Sequence, residues 1–352
     1  MLYPLKFQPV YKDYLWGGRE LEKLGKPLPP GIVAESWEIS AHPDGISAVV
    51  GGEYDGILFP QLIERLGVDL MGRNTDVDNL TGFPLLVKLI DASDRLSVQV
   101  HPNDVYAKIY ERGSLGKTEM WYILAAKPGA KLVYGLVPGV TREMFKRAVT
   151  AGRVEDCLNT IEVFPGDALY IPAGLVHAIG AGIVITEIQQ SSNLTYRVFD
   201  YDRVDQHGNK RPLHLDKALA VIDFSGKEYR GKNAGLTIVT ATGHKTYHVA
   251  NRYFSVETDR ICGAFSEDTG GKSFIVLVGI EGEGEIIYSG GRTRIVKGET
   301  VLLPAALGVY QIKGTLKLLR AYVPDLKTDI IQPLRRAGFS EIEIMKQVVD
   351  KG

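Results

Sequence analysis

The chain has 352 residues, 45% hydrophobic and 24% charged, which is enough apolar material for packed cores and too much for a disordered segment. Its 41 Lys and Arg against 42 Asp and Glu leave a formal net charge of −1, without the basic surplus that bulk nucleic-acid binding requires. Two cysteines, Cys157 and Cys262, make neither a disulfide framework nor a thiolate metal site, and no apolar run nears the ~20 residues of a membrane helix.

The opening stretch, MLYPLKFQPVYKDYLW, has no apolar core behind a basic cluster, so no signal peptide is expected and a reducing, cytoplasmic setting is. Leu62, Ile63 and Leu66 then fit one face of a short helix ended by Gly67. Strands are expected over 84–91, 96–101 and 120–124, each short and punctuated by Gly, Pro or Asp. Thr141 caps a helix that turns Met144, Phe145 and Ala148 inward and stops at Gly152. Strands at 168–171 and 183–188 precede a helix over 215–222, and the polar, glycine-rich stretch 226–235 reads as a domain boundary. Beyond it come strands at 273–278, 285–288, 300–303 and 316–322. Ser340 with Glu343 spells a capping box for a terminal helix carrying Ile342, Met345 and Val349 on one side. The 39 Gly and 17 Pro among so many short strands favour a sandwich or barrel over alternating βαβ units.

One motif occurs twice. Residues 166–173 read GDALYIPA and residues 298–305 read GETVLLPA, which predicts two copies of one turn–strand–Pro unit and hence a duplicated β-fold.

Three segments carry chemistry. In 96–101, LSVQVH, strand alternation puts Ser97, Gln99 and His101 on one face. Such a face is ordinarily solvated, or else it lines a cavity. In 117–122, KTEMWY, the same alternation aligns Lys117, Glu119 and Trp121; a Lys–Glu pair is usually an exposed ion pair, but an aromatic strand follows at once. The third segment, GDALYIPAGLVH over 166–177, fits G-x5-P-x-G-x2-H and resembles the second motif of cupin barrels. The first cupin motif supplies H-x-H followed by Glu. Here Gln99-x-His101 followed by Glu119 takes that place, with Gln in the position of one His and a helix-containing insertion at 103–113 in the gap. Gln99, His101, Glu119 and His177 are therefore the expected ligands of one Zn²⁺ or another borderline divalent ion. In the second copy Val309 falls where His177 would, so that copy is expected to hold no metal.

The chain further resembles the type I mannose-6-phosphate isomerases in their short bacterial form. The resemblance rests on LWGG at 15–18, ESWEIS at 35–40, PLLVKLI at 84–90, LSVQVHPND at 96–104, KTEMWY at 117–122, IPAGLVHAI at 171–179 and EIQQSSNLTYRVFDYDR at 187–203. It implies the same four zinc ligands and an aldose–ketose isomerisation between mannose 6-phosphate and fructose 6-phosphate through a cis-enediol(ate). It also implies Arg197 as the enediolate stabiliser, Glu187 as the base or the group that orients it, and Lys88 at the phosphate or in proton transfer. Ser97 and Lys117 match positions associated with the substrate, and Arg203 stands near a family lysine that has no clear counterpart. Trp16 and Trp37 read as packing, and His42, His207, His214, His244 and His248 fit no ligand spacing.

The resulting expectation is a mainly β protein of two cupin-type, jelly-roll barrels with a few flanking α-helices. A catalytic barrel spans 1–235, a metal-free barrel 236–325, and a helical tail 326–352. The expected partner is a sugar phosphate, with no nucleic acid and no membrane, and the chain is expected as a monomer or weak homodimer. Two other readings stay open: a different metal-dependent cupin enzyme, such as an oxygenase, and a sugar-phosphate-binding or regulatory cupin without turnover.

Overall fold

The structure, a computed structural model, describes residues 2–75, 82–205 and 207–350. Two large antiparallel sheets form the N-terminal part, with a small pair, Lys6–Gln8 and Ala48–Val50, beside them. The first has six strands in the order Ala168–Ile171, Glu119–Ala126, Ile183–Gln190, Leu85–Ala92, Glu35–Ile39, Val10–Lys12. The second has five, in the order Tyr196–Phe199, Val98–Val100, His177–Ala178, Lys131–Leu136, Leu158–Glu162. Ile90, Trp121, Ile123, Leu169 and Ile185 of the first meet Leu132 and Tyr134 of the second in one apolar cluster. The result is a two-sheet jelly-roll sandwich, mainly β, rather than a continuously hydrogen-bonded ring.

The six-stranded sheet is buried on both faces, which explains why Leu85–Ala92 and Ile183–Gln190 are covered at every position. Alternation sends Leu85, Val87, Leu89, Val184 and Ile188 to the outer face and leaves Lys88, Ile90, Ile185 and Glu187 for the inner one. Against the outer face lies a third layer, the C-terminal sheet, ordered Leu236–Thr240, Gly243–Ala250, Ser255–Asp268, Val309–Tyr322, Ile275–Tyr288, Gly291–Val296, with Thr300–Leu303 also paired to Ile275–Tyr288. Phe254, Val256, Phe274, Val276, Leu302 and Leu319 from this sheet share a core with Phe7, Phe59, Phe83 and Leu85. Leu5 is stitched to the C-terminal sheet: it and Leu302 exchange backbone hydrogen bonds at 2.8 and 2.9 Å.

The duplicated motif adopts the same local structure twice. Ala168–Ile171 and Thr300–Leu303 are four-residue, fully buried strands, each preceded by a glycine with positive φ, Gly166 at +97° and Gly298 at +81°. His177 and Val309 each open the following strand, and Val309 is 66% exposed. The second copy thus presents an apolar side chain to solvent where the first buries an imidazole.

Two helical faces differ from expectation. Thr141 does cap Arg142–Thr150, accepting from the Met144 N–H at 3.2 Å, but Met144 is 51% exposed and Phe145 is the buried residue. The Ser340–Glu343 capping box opens Glu341–Gln347 as expected, yet Ile342 is 79% exposed while Ile344 and Val348 are buried. Both helices are about two turns long, so one face touches the body and a neighbouring apolar residue is left outside. The tail packs on Leu236, Tyr247 and Ala250, and backbone bonds of 2.9 Å join Ala250 to Val348 and Asp350.

Candidate active site

Strand register arranges two rows of side chains on the inner walls of the sandwich. On the six-stranded sheet Trp37, Lys88, Glu187 and Trp121 stand directly opposite one another on successive strands. On the five-stranded sheet Arg197 is opposite Gln99, and Gln99 opposite His177. Glu119 begins its strand, and His101 follows Val98–Val100 by one residue. The rows touch: the Trp121 and His177 rings lie 5.3 Å apart, edge to face.

His101, Glu119 and His177 are fully buried, with ligand atoms all within 4.8 Å of one another. The imidazole Nε2 atoms are 3.1 Å apart, and Glu119 Oε1 lies 3.1 Å from His101 Nε2 while Oε2 lies 3.8 Å from His177 Nε2. Each Nδ1 is 2.8 Å from a backbone carbonyl, Leu194 for His101 and Leu175 for His177. A carbonyl only accepts, so each Nδ1 carries the proton and each Nε2 turns a bare lone pair toward the other. Burial favours this neutral form, pushing His101 down to about 3 and His177 below its ordinary value. Two lone pairs and a carboxylate aimed at one point repel, and the Lys117 ammonium, which reaches Glu119 and His101, offsets this on one side of the cluster. The 3.1 Å spacing is close to the roughly 3.3 Å edge of a tetrahedron of ligands about 2.0–2.1 Å from zinc. The residues therefore fit a divalent metal. The Gln99 amide, 3.3 Å from His177 Nε2, adds a neutral oxygen ligand once its amide group is turned.

The surrounding charges are paired. Lys117 Nζ lies 2.5 Å from Glu119 Oε1 and 3.4 Å from His101 Nε2. Despite burial, the Lys117 ammonium holds the Glu119 carboxyl well below its usual range. The Trp121 indole N–H is shared at 3.0 Å between Glu119 Oε2 and Glu187 Oε1. Lys88 lies 3.1 Å from Glu187 and 3.6 Å from Glu35, which in turn accepts from the Trp37 indole at 2.6 Å. Burial pushes the Glu187 carboxyl up, and the nearby Glu119 charge adds to that. For Lys88 burial acts against the charge, but Glu187 and Glu35 outweigh it and keep the ammonium protonated.

Gln99, His101, Glu119, His177 and Lys117 are thus brought together, with Lys88 and Glu187 one indole away. Arg197 donates to Ser97 Oγ at 3.3 Å and to the Pro212 carbonyl at 3.0 Å. Arg203 sits apart, paired with Asp200 at 2.5 Å and near Asp94 and Tyr201. It helps line a cavity of about 380 Å³ with Tyr14, Trp16, Lys210 and Arg211. A larger cavity, about 640 Å³, is walled by His42, Asp44, Phe83, Asn193 and Leu194, the last being the residue whose carbonyl holds His101. Glu35 and the two indole N–H groups were not singled out from sequence, although Glu35, Trp37 and Trp121 lie within matching segments.

The jelly-roll sandwich and the buried His–Glu–His cluster between its sheets define a cupin-fold protein with a candidate metal centre. Comparison with known proteins narrows this class. Residues 4–125 match the profile of the type I phosphomannose isomerase catalytic domain, and residues 244–323 that of the mannose-6-phosphate isomerase cupin domain. The chain is 38% identical over 324 residues to the mannose-6-phosphate isomerase ManA of Bacillus subtilis, a match covering 88% of this chain and 96% of that protein. It is 36% identical to the mannose-6-phosphate isomerase of Streptococcus mutans, with 92% and 99% covered. The crystal structure of the Bacillus subtilis mannose 6-phosphate isomerase superposes with a TM-score of 0.83 at 35% identity, covering 91% of this chain and 99% of that one. The chain belongs to the type I phosphomannose isomerase family and is an enzyme of that family.

Proposed function

We propose that the enzyme interconverts mannose 6-phosphate and fructose 6-phosphate, and that zinc is the ion held by Gln99, His101, Glu119 and His177. The observation that carries this reading is the convergence of two proton-free Nε2 atoms and one carboxylate beside a second, proton-hungry carboxylate. Zinc bound there supplies Lewis-acid polarisation of vicinal sugar oxygens.

The chain's own residues do the rest. Aldose-to-ketose conversion takes the proton from C2, passes through a cis-enediol(ate), and returns a proton to C1, while the hydroxyl proton passes from O2 to O1. Glu187, its proton affinity raised by burial, takes and returns that proton from its carboxylate form, with Lys88 beside it to stabilise the charge. Arg197, held by Ser97 and the Pro212 carbonyl, directs its guanidinium toward the oxygen that gains negative charge. Lys117 and Ser97 orient the substrate, and Arg203, paired with Asp200 at the wall of the neighbouring cavity, is the guanidinium that meets the phosphate. In this reading residues 1–235 are the catalytic unit, 236–325 a metal-free support and 326–352 a covering tail.

The test is a coupled isomerase assay on mannose 6-phosphate before chelation, after it, and after zinc is returned. Activity is expected to vanish and recover, and His177→Ala to lose both metal and rate. A His177→Ala enzyme with normal turnover would remove the assignment.

A further inference from the structure

Asp104 and Gln190 lie inside the segments that carry the family pattern, yet neither has a place in the chemistry above. Both carboxylate oxygens of Asp104 are engaged. Oδ1 accepts from the Gly116 backbone N–H and from the Gln190 amide, each at 2.9 Å. Oδ2 accepts from the Tyr253 hydroxyl at 2.5 Å and from the Arg252 guanidinium at 3.0 Å. Gln190 passes the connection on: its Oε1 accepts from the Thr118 N–H at 3.0 Å, and its own N–H donates to the Thr118 carbonyl at 3.1 Å. Lys117 N–H donates to the Pro102 carbonyl at 3.0 Å. A Cβ on Gly116 would lie 2.5 Å from the backbone of Asn103 and Asp104, so the two stretches are pressed backbone to backbone.

Four stretches of chain therefore meet on one carboxylate. One ends three residues after His101. One runs straight into Lys117 and Glu119. One is the end of the strand that carries Glu187. The fourth belongs to the C-terminal sheet, in a loop fixed by Asn251, whose Oδ1 accepts from the N–H groups of Tyr253 and Phe254 at 2.8 and 3.0 Å. Burial alone would raise the Asp104 carboxyl, but the bonds from Tyr253, Gln190 and Gly116 outweigh it and hold the group ionised. Residues 111–118 belong to no strand, so nothing in a sheet ladder fixes Lys117 before the strand begins at Glu119. A ligand set has to be held to within about 0.5 Å.

We propose that Asp104, clamped from the C-terminal sheet by Tyr253, is a positioning residue that sets Lys117 and Glu119 in register with His101. The metal-free sheet thereby acts on the metal site without contributing a ligand. This rests on the reading of His101, Glu119 and His177 as metal ligands.

The test uses the full chain and two probes, Zn²⁺ affinity by competition with a chromophoric chelator and the visible d–d spectrum of the Co²⁺-loaded protein. Asp104→Asn keeps the shape but turns an NH₂ toward two donors, and Tyr253→Phe removes one hydroxyl. Thr300→Val is the control. It deletes a 3.1 Å bond to Glu38 that also joins the two parts of the molecule, and it touches none of the four stretches. Asp104→Asn is expected to bind Zn²⁺ about tenfold more weakly and to shift the Co²⁺ bands. Tyr253→Phe is expected to change both in the same direction by less, and Thr300→Val to leave both unchanged whatever its effect on Tm. Wild-type affinity and spectrum in both Asp104→Asn and Tyr253→Phe would overturn the proposal, as would equal changes in Thr300→Val. A wild-type chain that takes up neither ion would remove the ligand assignment and the clamp with it.

Discussion

The Trp121 indole N–H serves two carboxylates at once, one a candidate ligand and the other the candidate base. Trp121→Phe keeps the ring and strips that donor, leaving two buried negative oxygens facing each other. A stability loss of about 1–3 kcal/mol is expected in urea unfolding, together with a fall in kcat that exceeds any change in KM. His248 makes a different prediction. It is buried in the C-terminal sheet, with Nε2 3.0 Å from Thr258 Oγ1, and burial outweighs a backbone hydrogen bond at Asn233 to push its pKa down to about 4. The unfolded chain takes up a proton near pH 6.5 while the folded one does not until about 4, so stability falls as pH drops through that window and no further below it. Between pH 7 and pH 5 the contribution is about 2 kcal/mol, and His248→Gln is expected to lose that part of the acid sensitivity in paired denaturation curves. The convergence of His101, Glu119 and His177 was legible because their motifs fix residue type and spacing. The roles of Trp121 and Asp104 were not, since each depends on which strands stand side by side, and spacing along one strand does not encode its neighbours.

At the level of single elements, caps and turn glycines announced themselves and strand lengths did not. Thr141, Ser340 and Gly67 mark helix ends where the sequence places them. Residues 279–284 and 309–315 lie between the expected strands but belong to the long strands Ile275–Tyr288 and Val309–Tyr322. Glycine ordinarily weakens a strand, so the run Gly279, Gly282, Gly284 reads as an interruption. Here it permits a close approach and a register shift between Gly279 and Glu281. Gly282 has φ +69°, and a Cβ there would lie 2.1 Å from the Thr315 carbonyl oxygen. Gly282→Ala is accordingly expected to cost about 3 kcal/mol, from the left-handed backbone and the forced separation of two strands, read as a lowered Tm. The helix faces were misread for a related reason: in two turns, periodicity cannot say which neighbour of a buried Phe145 or Ile344 is left outside.

At the scale of the molecule, the layer between the six-stranded sheet and the C-terminal sheet belongs to both. Phe83 and Phe274, 4.4 Å apart between ring centres, come from opposite parts of the chain. A functional division near residue 235 is therefore not expected to be a division in folding. Calorimetry of the whole chain is expected to give one cooperative endotherm, and Phe274→Ala to lower it as a unit, at about 3–5 kcal/mol. Two resolved transitions would contradict a shared core. The bond pair between Leu5 and Leu302 adds a timetable to this picture. Lys6–Gln8 has a partner strand, Ala48–Val50, close behind it, but the Leu5 backbone waits for Leu302 until almost 300 more residues have been made, an interval on the order of 15–60 s at ordinary rates of synthesis. For that time Leu5 has to stay solvated or sheltered by a chaperone, which makes this one strand end a place where translation speed and chaperone supply bear on yield.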